Sequence, residues 1–232
     1  MSIGATTKLV ALLGHPVAHS LSPKMQNEAF AATWLDWAYV ALDVPPSQLE
    51  EALRGIVAGG FAGANVTIPH KRVAAALCDE AEGDAVNTLA FVNGRVLGFN
   101  TDKEIVAGIR SERVCLIGDG GAAHTLLPGF HGEVRQFSRR GVWPPDAEGC
   151  DLIVNATPVR DELLVEPHAG QVVVDLAYGD GETVLVAAAR AAGCQVVDGL
   201  EALVRQGAAS FERWTGIAAP VSAMRAALGL TQ

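Results

Sequence analysis

A glycine-rich turn between a strand and a helix constrains this chain more than any other feature. In VCLIGDGGAAHTLL, an apolar strand is followed by Gly118, Gly120 and Ala123 and then by a predicted helix. Glycines at this G-x-G-x-x-A spacing let the backbone turn tightly and approach a pyrophosphate at the helix N-terminus. The context predicts a dinucleotide-binding α/β unit, whose helix Pro128-Gly129 limits to about two turns.

Predicted strands and helices alternate along the rest of the chain. Such alternation predicts a doubly wound α/β architecture. We expect two α/β domains, one formed by residues 1–103 with 208–232 and a shortened, Rossmann-like, dinucleotide-binding domain at residues 104–207. Strands are predicted at residues 8–13, 38–43, 64–68, 88–92, 95–99, 114–117, 133–138, 151–157, 172–178 and 194–198.

Local signals predict where several helices and one hairpin begin. Ser22 before Pro23 predicts an N-cap followed by a proline in the first helical turn. The segments SQLE at 47–50 and TDKE at 101–104 have the capping-box spacing. Asn93-Gly94 between two apolar runs predicts a two-residue hairpin turn.

Composition narrows the class of partner. The chain has 17 basic and 26 acidic residues, a net charge of −9, which argues against nucleic acid and anionic membranes. Four scattered cysteines and no HExxH motif indicate a reduced, cytoplasmic protein without a structural metal. The apolar run LVALLG is too short to span a membrane. We therefore expect a small-molecule substrate, and either a monomer or a homodimer fits the sequence.

The end of the second strand after the glycine loop indicates which dinucleotide is bound. About 20 residues beyond the loop, where an acidic residue would read the ribose of NAD, the chain has Ser138-Arg139-Arg140. Arginine there suits the 2′-phosphate of NADP. An ordinary turn with a solvated arginine pair is the alternative.

Polar clusters follow several strands in the first half of the chain. They are HSLSP, NVTIPHK, AVNTL and FNTD. Because ligands bind at the carboxyl ends of strands in α/β sheets, these loops could converge on a site. Asn65 and Thr67 are two residues apart and would share one face of a strand. Each cluster also has a structural alternative: Ser22 as an N-cap, Asn87 as a turn brace, Lys71 as a solvated residue and Asp102 as a first-turn acid.

Taken in order, these segments resemble the shikimate dehydrogenase family. The matching segments are HPVAHSLSP, GANVTIPHK, AVNTL, GFNTD, GDGGAA, NATP, DLAY followed by Thr183, and DGLEALVRQGAASFERWTG, from about residue 13 to 216. The resemblance implies NADP-dependent reduction of 3-dehydroshikimate to shikimate, on the route to chorismate and the aromatic amino acids. It also implies that residues 1–103 with 208–232 form the substrate-binding and catalytic domain and that residues 104–207 form the NADP-binding domain.

The resemblance also implies a role for individual residues. Lys71 would be the catalytic lysine, which can stabilise charge on a reduced carbonyl oxygen and donate a proton, and Asp102 its acidic partner. The implied substrate-binding residues are Ser20, Ser22, Asn65, Thr67, Asn87, Asp102, Tyr178 and Gln206. The implied cofactor-binding residues are Gly118, Asp119, Gly120, Gly121, Ala122, Ser138, Arg139, Arg140, Leu176 and Gly199.

The sequence departs from the family pattern in its cofactor half. Only GVWPPDAEGC separates Arg140 from Asp151, so the second crossover is predicted to be a loop in place of a helix. Two other functions stay open at this point: a relative acting on quinate or an aminated analogue, and a non-catalytic shikimate-binding protein.

Overall fold

The computed structural model describes residues 3–230, which fold into two compact α/β units. One unit contains the described residues up to Thr101 and those from Val204 onward, and the other is Asp102–Leu203. The predicted domains divided after residues 103 and 207, whereas the units divide after 101 and 203.

The first unit is built on a six-stranded mixed sheet. Its strands are β1 Lys8–Gly14, β2 Trp37–Asp43, β3 Gly63–Val66, β4 Glu80–Ala81, β5 Thr88–Val92 and β6 Arg95–Phe99, in the order β2-β1-β3-β5-β6-β4. β1 pairs in parallel with β2 and β3, whereas β5 is antiparallel to β3 and β6. The mixed pairing follows from the β5–β6 hairpin. Asn93 (φ 52°) and Gly94 (φ 77°) both have positive φ, which confirms the predicted two-residue turn.

Helices cover the first sheet and supply its core. They are α1 Ser22–Ala32, α2 Leu49–Ala58, α3 Lys71–Ala76 and α7 Val221–Ala227, together with the later part of α6 Gly199–Thr215. On α2, Leu49, Leu53 and Ile56 lie on one helical face at four- and three-residue spacing and are buried in the same cluster as Leu13 and Val66. The apolar pattern therefore fixes α2 against the sheet and leaves the strand ends to polar residues.

The predicted N-terminal caps are wrong at all three helix starts. α1 begins at Ser22 itself, because Leu21 already has helical dihedrals, and no side chain caps it. α2 begins at Leu49 after a 3-10 turn and has no side-chain cap. The segment after Thr101 forms only a 3-10 turn, Asp102–Ile105, since the Thr101 N–H donates to Asn87. The proposed capping groups are thus available for other contacts.

The second unit is a five-stranded, wholly parallel sheet. Its strands are β7 Arg113–Ile117, β8 Glu133–Phe137, β9 Leu152–Asn155, β10 Val172–Asp175 and β11 Gln195–Val197, in the order β11-β10-β9-β7-β8. The chain therefore reverses its direction of travel across the sheet between β7 and β9. In doubly wound sheets, ligands bind at the carboxyl ends of strands at such a reversal.

The crossovers of the second unit are short. α4 spans Gly121–Leu126 before a 3-10 turn, and α5 spans Val184–Ala191. Residues 141–150 contain no helix, which confirms the predicted loop. Arg135 on β8 contacts this loop by donating to the Asp146 carboxylate (2.6 Å) and the Glu148 carbonyl (3.0 Å). These hydrogen bonds attach the short crossover to the sheet.

Within residues 3–230, no helix is both long enough and apolar enough to cross a membrane. All four cysteines are free thiols. Burial raises the pKa of Cys115 to about 12.

Candidate active site

Four strand ends of the first unit open at one edge of its sheet. β1 and β3 are parallel neighbours, so Gly14 and Val66 end side by side. β5 runs antiparallel to β3, and its first residue, Thr88, pairs with Asn65 and with Phe99 at the end of β6. The loops after β1, β3 and β6 and the segment before β5 therefore meet, as the polar clusters suggested.

Thr67 lies in the loop that follows β3. The strand ends at Val66, and the Thr67 N–H donates to the Leu13 carbonyl (2.9 Å). A side chain at Gly14 would come within 2.5 Å of Thr67 Cγ2, so glycine at 14 permits this position. The Thr67 hydroxyl is half-buried and makes no hydrogen bond within residues 3–230. It is thus available to a ligand.

Asn65 is buried and hydrogen-bonded within the first unit. Its Nδ2 lies 3.0 Å from each of three acceptors: the Asn87 carbonyl, Thr88 Oγ1 and Ser210 Oγ. Its Oδ1 accepts from the Tyr39 hydroxyl at 2.8 Å. An amide has two N–H hydrogens, and both are engaged inside the unit. Asn65 therefore has a structural role, and its predicted substrate contact stays a prediction.

Asn87 is held by a buried network. Its Nδ2 donates to Thr101 Oγ1 (2.9 Å) and lies 3.4 Å from Gln206 Oε1. Its Oδ1 accepts from the Thr101 N–H (2.8 Å). Thr88 and Ser210 continue the network, 2.8 Å apart through their hydroxyls. Two predicted binding residues, Asn87 and Gln206, are thus brought together with fixed geometry.

Three network members were not predicted from the sequence. Thr88 and Thr101 lie inside AVNTL and FNTD, so the polar clusters did mark their position. Ser210 lies one turn after Gln206 on α6, and a lone serine in a helix carries no signal. Its place in the network depends on how α6 packs against the sheet.

The two predicted serines and Lys71 complete this edge. Ser22 is buried, and its hydroxyl makes no hydrogen bond in the described part of the chain. Ser20 Oγ accepts from the Ser22 N–H (3.3 Å). Lys71 is the first residue of α3, only 8% exposed, and its carbonyl accepts from the Val86 N–H, which places its backbone beside Asn87. Lysine is rarely so buried without a specific role or partner. We call Ser20, Ser22, Thr67, Lys71, Asn87 and Gln206 the polar edge.

The second unit holds Asp102 in a buried position. Thr125 on α4 donates its hydroxyl to Asp102 Oδ2 at 2.5 Å. α4 is the helix that follows the glycine loop, so the carboxylate is tied to the nucleotide-binding element. Thr125 was not predicted as a site residue, because no pattern in the sequence connects it with Asp102, 23 positions earlier.

The glycine loop has the geometry that a pyrophosphate requires. Gly118 has φ +124°, and a Cβ there would lie 2.9 Å from the Ala156 carbonyl oxygen, so glycine is required. Its N–H donates to the Phe137 carbonyl, and Gly120 precedes α4 directly. The loop lies at the reversal between β7 and β9. The residues present therefore fit a dinucleotide.

A cavity of about 280 Å³ adjoins this loop. The Gly141 N–H donates to the Ser138 carbonyl (3.0 Å), forming a turn with Arg139 and Arg140 at its corners. Both arginines line the cavity, as predicted for a 2′-phosphate site. Trp143 and residues 157–159 line it too and were not predicted. We call the cavity the arginine pocket; its walls are Gly118, Asp119, Ser138, Arg139, Arg140, Trp143, Thr157, Pro158 and Val159.

Asp175 organises the loop that carries Leu176 and Tyr178. Its carboxylate accepts from Asn155 Nδ2 (2.9 Å), from the Ala177 N–H (3.0 Å) and from the Thr183 hydroxyl (2.5 Å). Burial raises the pKa of Asp175, although these donors oppose the rise. Asp175 thus fixes the start of the loop.

Gly199 packs against the same loop. A Cβ at Gly199 would lie 2.6 Å from the Ala177 carbonyl oxygen and 2.8 Å from Tyr178 Cβ. Gly199 therefore allows α6 to begin directly beside Tyr178. Leu176 and Tyr178, from the DLAY segment, and Gly199, from the DGLEALVRQ segment, are neighbours.

The second unit is doubly wound and has a glycine loop and the arginine pocket. The first unit has a buried lysine and the polar edge. Together these features define a nucleotide-dependent oxidoreductase. Family models described as the shikimate dehydrogenase substrate binding domain and the shikimate 5′-dehydrogenase C-terminal domain match residues 12–93 and 199–228. The chain belongs to the shikimate dehydrogenase family, which confirms the resemblance.

Full-length relatives support this membership. A protein from Methanopyrus kandleri named shikimate dehydrogenase (NADP(+)) is 37% identical over 281 residues, covering 98% of this chain and 97% of the relative. One of the same name from Anaeromyxobacter dehalogenans is 41% identical over 272 residues, covering 97% of each chain. The crystal structure of shikimate 5-dehydrogenase from Thermus thermophilus, in complex with NADP(H) and shikimate, matches with a TM-score of 0.84 and 32% identity, over 95% of this chain and 98% of that one.

Proposed function

We propose that this protein catalyses the reversible, NADP-dependent reduction of 3-dehydroshikimate to shikimate, a step towards chorismate and the aromatic amino acids. The observation that carries the proposal is the polar edge. There, the backbone of a buried lysine lies beside a braced asparagine, and the segments after β1 and β3 carry the Ser22 and Thr67 hydroxyls, which make no hydrogen bond within residues 3–230. We further propose that the enzyme is cytoplasmic and acts as a monomer or homodimer.

The polar edge suits a polyhydroxylated acid. Ser20 and Ser22 would bind the carboxylate, while Thr67, Asn87 and Gln206 would bind ring hydroxyls. Because the Asn87 amide is fixed by its network, its position needs little rearrangement when substrate binds. A site that hydrogen-bonds each hydroxyl also rejects analogues that lack one.

Lys71 and Asp102 would carry the proton chemistry. When bound, reduced NADP supplies the hydride to the carbonyl carbon. The Lys71 ammonium would stabilise the negative charge that builds on the carbonyl oxygen and donate a proton to it. In the oxidation direction, the neutral amine would accept the hydroxyl proton. Asp102 would be the acidic partner of the lysine, and Tyr178 would add a contact to the substrate.

The second unit would supply the cofactor site. Gly118, Asp119, Gly120, Gly121 and Ala122 would surround the pyrophosphate, and Leu176 and Gly199 would lie near the nicotinamide. Ser138, Arg139 and Arg140 would bind the adenosine 2′-phosphate. The positive charge of the arginine pocket supports NADP over NAD.

A steady-state assay tests this proposal. Shikimate oxidation is measured with NADP and with NAD in parallel, and quinate is the competing substrate. We expect saturable turnover of shikimate with NADP preferred. Shikimate binding by calorimetry without any turnover would overturn the enzymatic proposal, and equal or better use of NAD would overturn the cofactor assignment.

A further inference from the structure

The two arginines of the pocket have different surroundings. Arg139 Nη2 lies 3.1 Å from a carboxylate oxygen of Glu162, and its guanidinium lies over the Trp143 ring, 5.3 Å from the ring centroid. Arg140 makes no ion pair or hydrogen bond within the described residues. Of the two arginines, only Arg140 therefore presents an uncompensated positive charge to the pocket.

Glu162 has no evident role in holding the fold together. It is 55% exposed and belongs to the segment after β9, following the pocket residues 157–159. Its contact is with a side chain that the proposed function assigns to the cofactor. A carboxylate at this place is unexpected, because a site for a dianionic phosphate gains nothing from nearby negative charge.

We infer that Glu162 is a specificity-determining residue that limits the preference for NADP over NAD. Its carboxylate competes with the 2′-phosphate for Arg139, so Arg140 makes the principal phosphate contact. Trp143 holds the Arg139 guanidinium against the pocket wall while the ion pair is formed. The inference rests on the proposed NADP dependence and adds the residue that sets its strength.

Exposure bounds the size of the effect. Arg139 and Glu162 are both more than half exposed, so water and salt screen their interaction. Removing the carboxylate charge should therefore change the affinity for a 2′-phosphate by about threefold to tenfold, and less at high salt. Ligands without the 2′-phosphate should not respond.

Calorimetric titration of the full chain with 2′,5′-ADP and with 5′-ADP tests the inference without requiring turnover. Glu162→Gln should tighten 2′,5′-ADP about threefold to tenfold and leave 5′-ADP within about twofold. Asp161→Asn is the matched control: it removes the same charge one residue away, and Asp161 has no ion pair or hydrogen bond in the described chain. It should change neither ligand.

Two further variants compare the arginines. Arg140→Ala should weaken 2′,5′-ADP by about tenfold or more, and Arg139→Ala by less, since Arg139 is already compensated. The inference is overturned if Glu162→Gln and Asp161→Asn have equal effects, or if Glu162→Gln weakens either ligand. A wild type that binds the two nucleotides equally would overturn both this inference and the cofactor assignment. If the protein binds 2′,5′-ADP selectively but does not oxidise shikimate, only the proposed activity is overturned.

Discussion

The Thr125 hydroxyl donates to the Asp102 carboxylate at 2.5 Å, and both side chains are buried. The same hydroxyl also lies 3.0 Å from the carbonyls of Gly121 and Ala122, its own helical neighbours. A hydroxyl has one proton to donate, and the charged carboxylate is the stronger acceptor. Asp102, the proposed acidic partner of Lys71, is thus oriented by α4, the helix that follows the glycine loop.

Thr125→Val keeps the shape of the side chain and removes the donor. We expect kcat for shikimate oxidation to fall about tenfold, because Asp102 loses a hydrogen bond that orients it. The free energy of unfolding should fall by about 1–3 kcal/mol, because a buried hydrogen bond to a carboxylate is lost. Steady-state kinetics and urea unfolding measure the two effects. Thr125→Ser, which keeps the hydroxyl, should restore most of kcat. An unchanged kcat in the valine variant would show that the contact has no functional role.

The strands were predictable because their signal is local. The apolar runs of β1, β7 and β10 are long enough to be recognised without knowledge of their neighbours. The helix caps were not, since Ser22 and Thr101 have cap-forming side chains that the fold leaves free or uses elsewhere. The residue types that cap helices are also those that bind ligands, and only the tertiary fold decides between the two uses.

The candidate site shows the same division between local and tertiary signals. The family resemblance brought Asn87 and Gln206 into one hypothesis, and the structure places their side chains 3.4 Å apart. It could not separate Asn65 from Thr67, because their roles depend on β3 ending at Val66 and on α6 bringing Ser210 to Asn65. Where β3 ends within the segment GANVTIPHK is set by tertiary packing, which the sequence pattern does not show.

Asn65 and Thr67 should therefore respond differently to substitution. Asn65→Leu removes the buried amide that contacts Tyr39, Asn87, Thr88 and Ser210 and puts an apolar side chain into a polar network, so the free energy of unfolding should fall by about 2–5 kcal/mol. Thr67→Val keeps the methyl contact near Gly14, so its stability should stay within about 0.5 kcal/mol of wild type. Its KM for shikimate should rise about tenfold, because one hydroxyl donor is lost. Urea unfolding and initial-rate kinetics give both numbers. A stable Asn65→Leu variant with only a raised KM would reverse the two assignments.

Lys71 should be essential for turnover and not for folding. Lys71→Met retains an unbranched side chain and removes the ammonium, so kcat should fall by about 10²–10⁴-fold, the usual contribution of a positioned proton donor. Calorimetry should still detect shikimate binding. Lys24→Met, at an exposed position on α1, is the control and should leave kcat unchanged. Residual activity near wild type at Lys71→Met would remove lysine from the mechanism.

Asp175 should give stability an unusual pH dependence. Burial raises its pKa in the folded chain, against about 3.9 for an unfolded aspartate. Above that unfolded value, the native state holds the proton more tightly than the unfolded state does. The contribution of this group to the free energy of unfolding therefore falls as pH rises from about 4 to the folded pKa, and is constant above it. Asp175→Asn removes the titration, so the stability of wild type relative to this variant should decrease over that window.

Urea unfolding of both proteins from about pH 4 to pH 8 measures this difference. Asp36 provides a control of opposite sign, because hydrogen bonds from Thr7 and Thr6 lower the pKa of its exposed carboxyl. Its contribution is present above the unfolded pKa and is lost as pH falls through the lower folded value. Wild type relative to Asp36→Asn should thus gain stability as pH rises to about 4 and change little above it, in the window where wild type relative to Asp175→Asn loses stability. A difference for Asp175 that is flat, or that grows with pH, would mean that its three donors outweigh burial and keep the carboxylate charged.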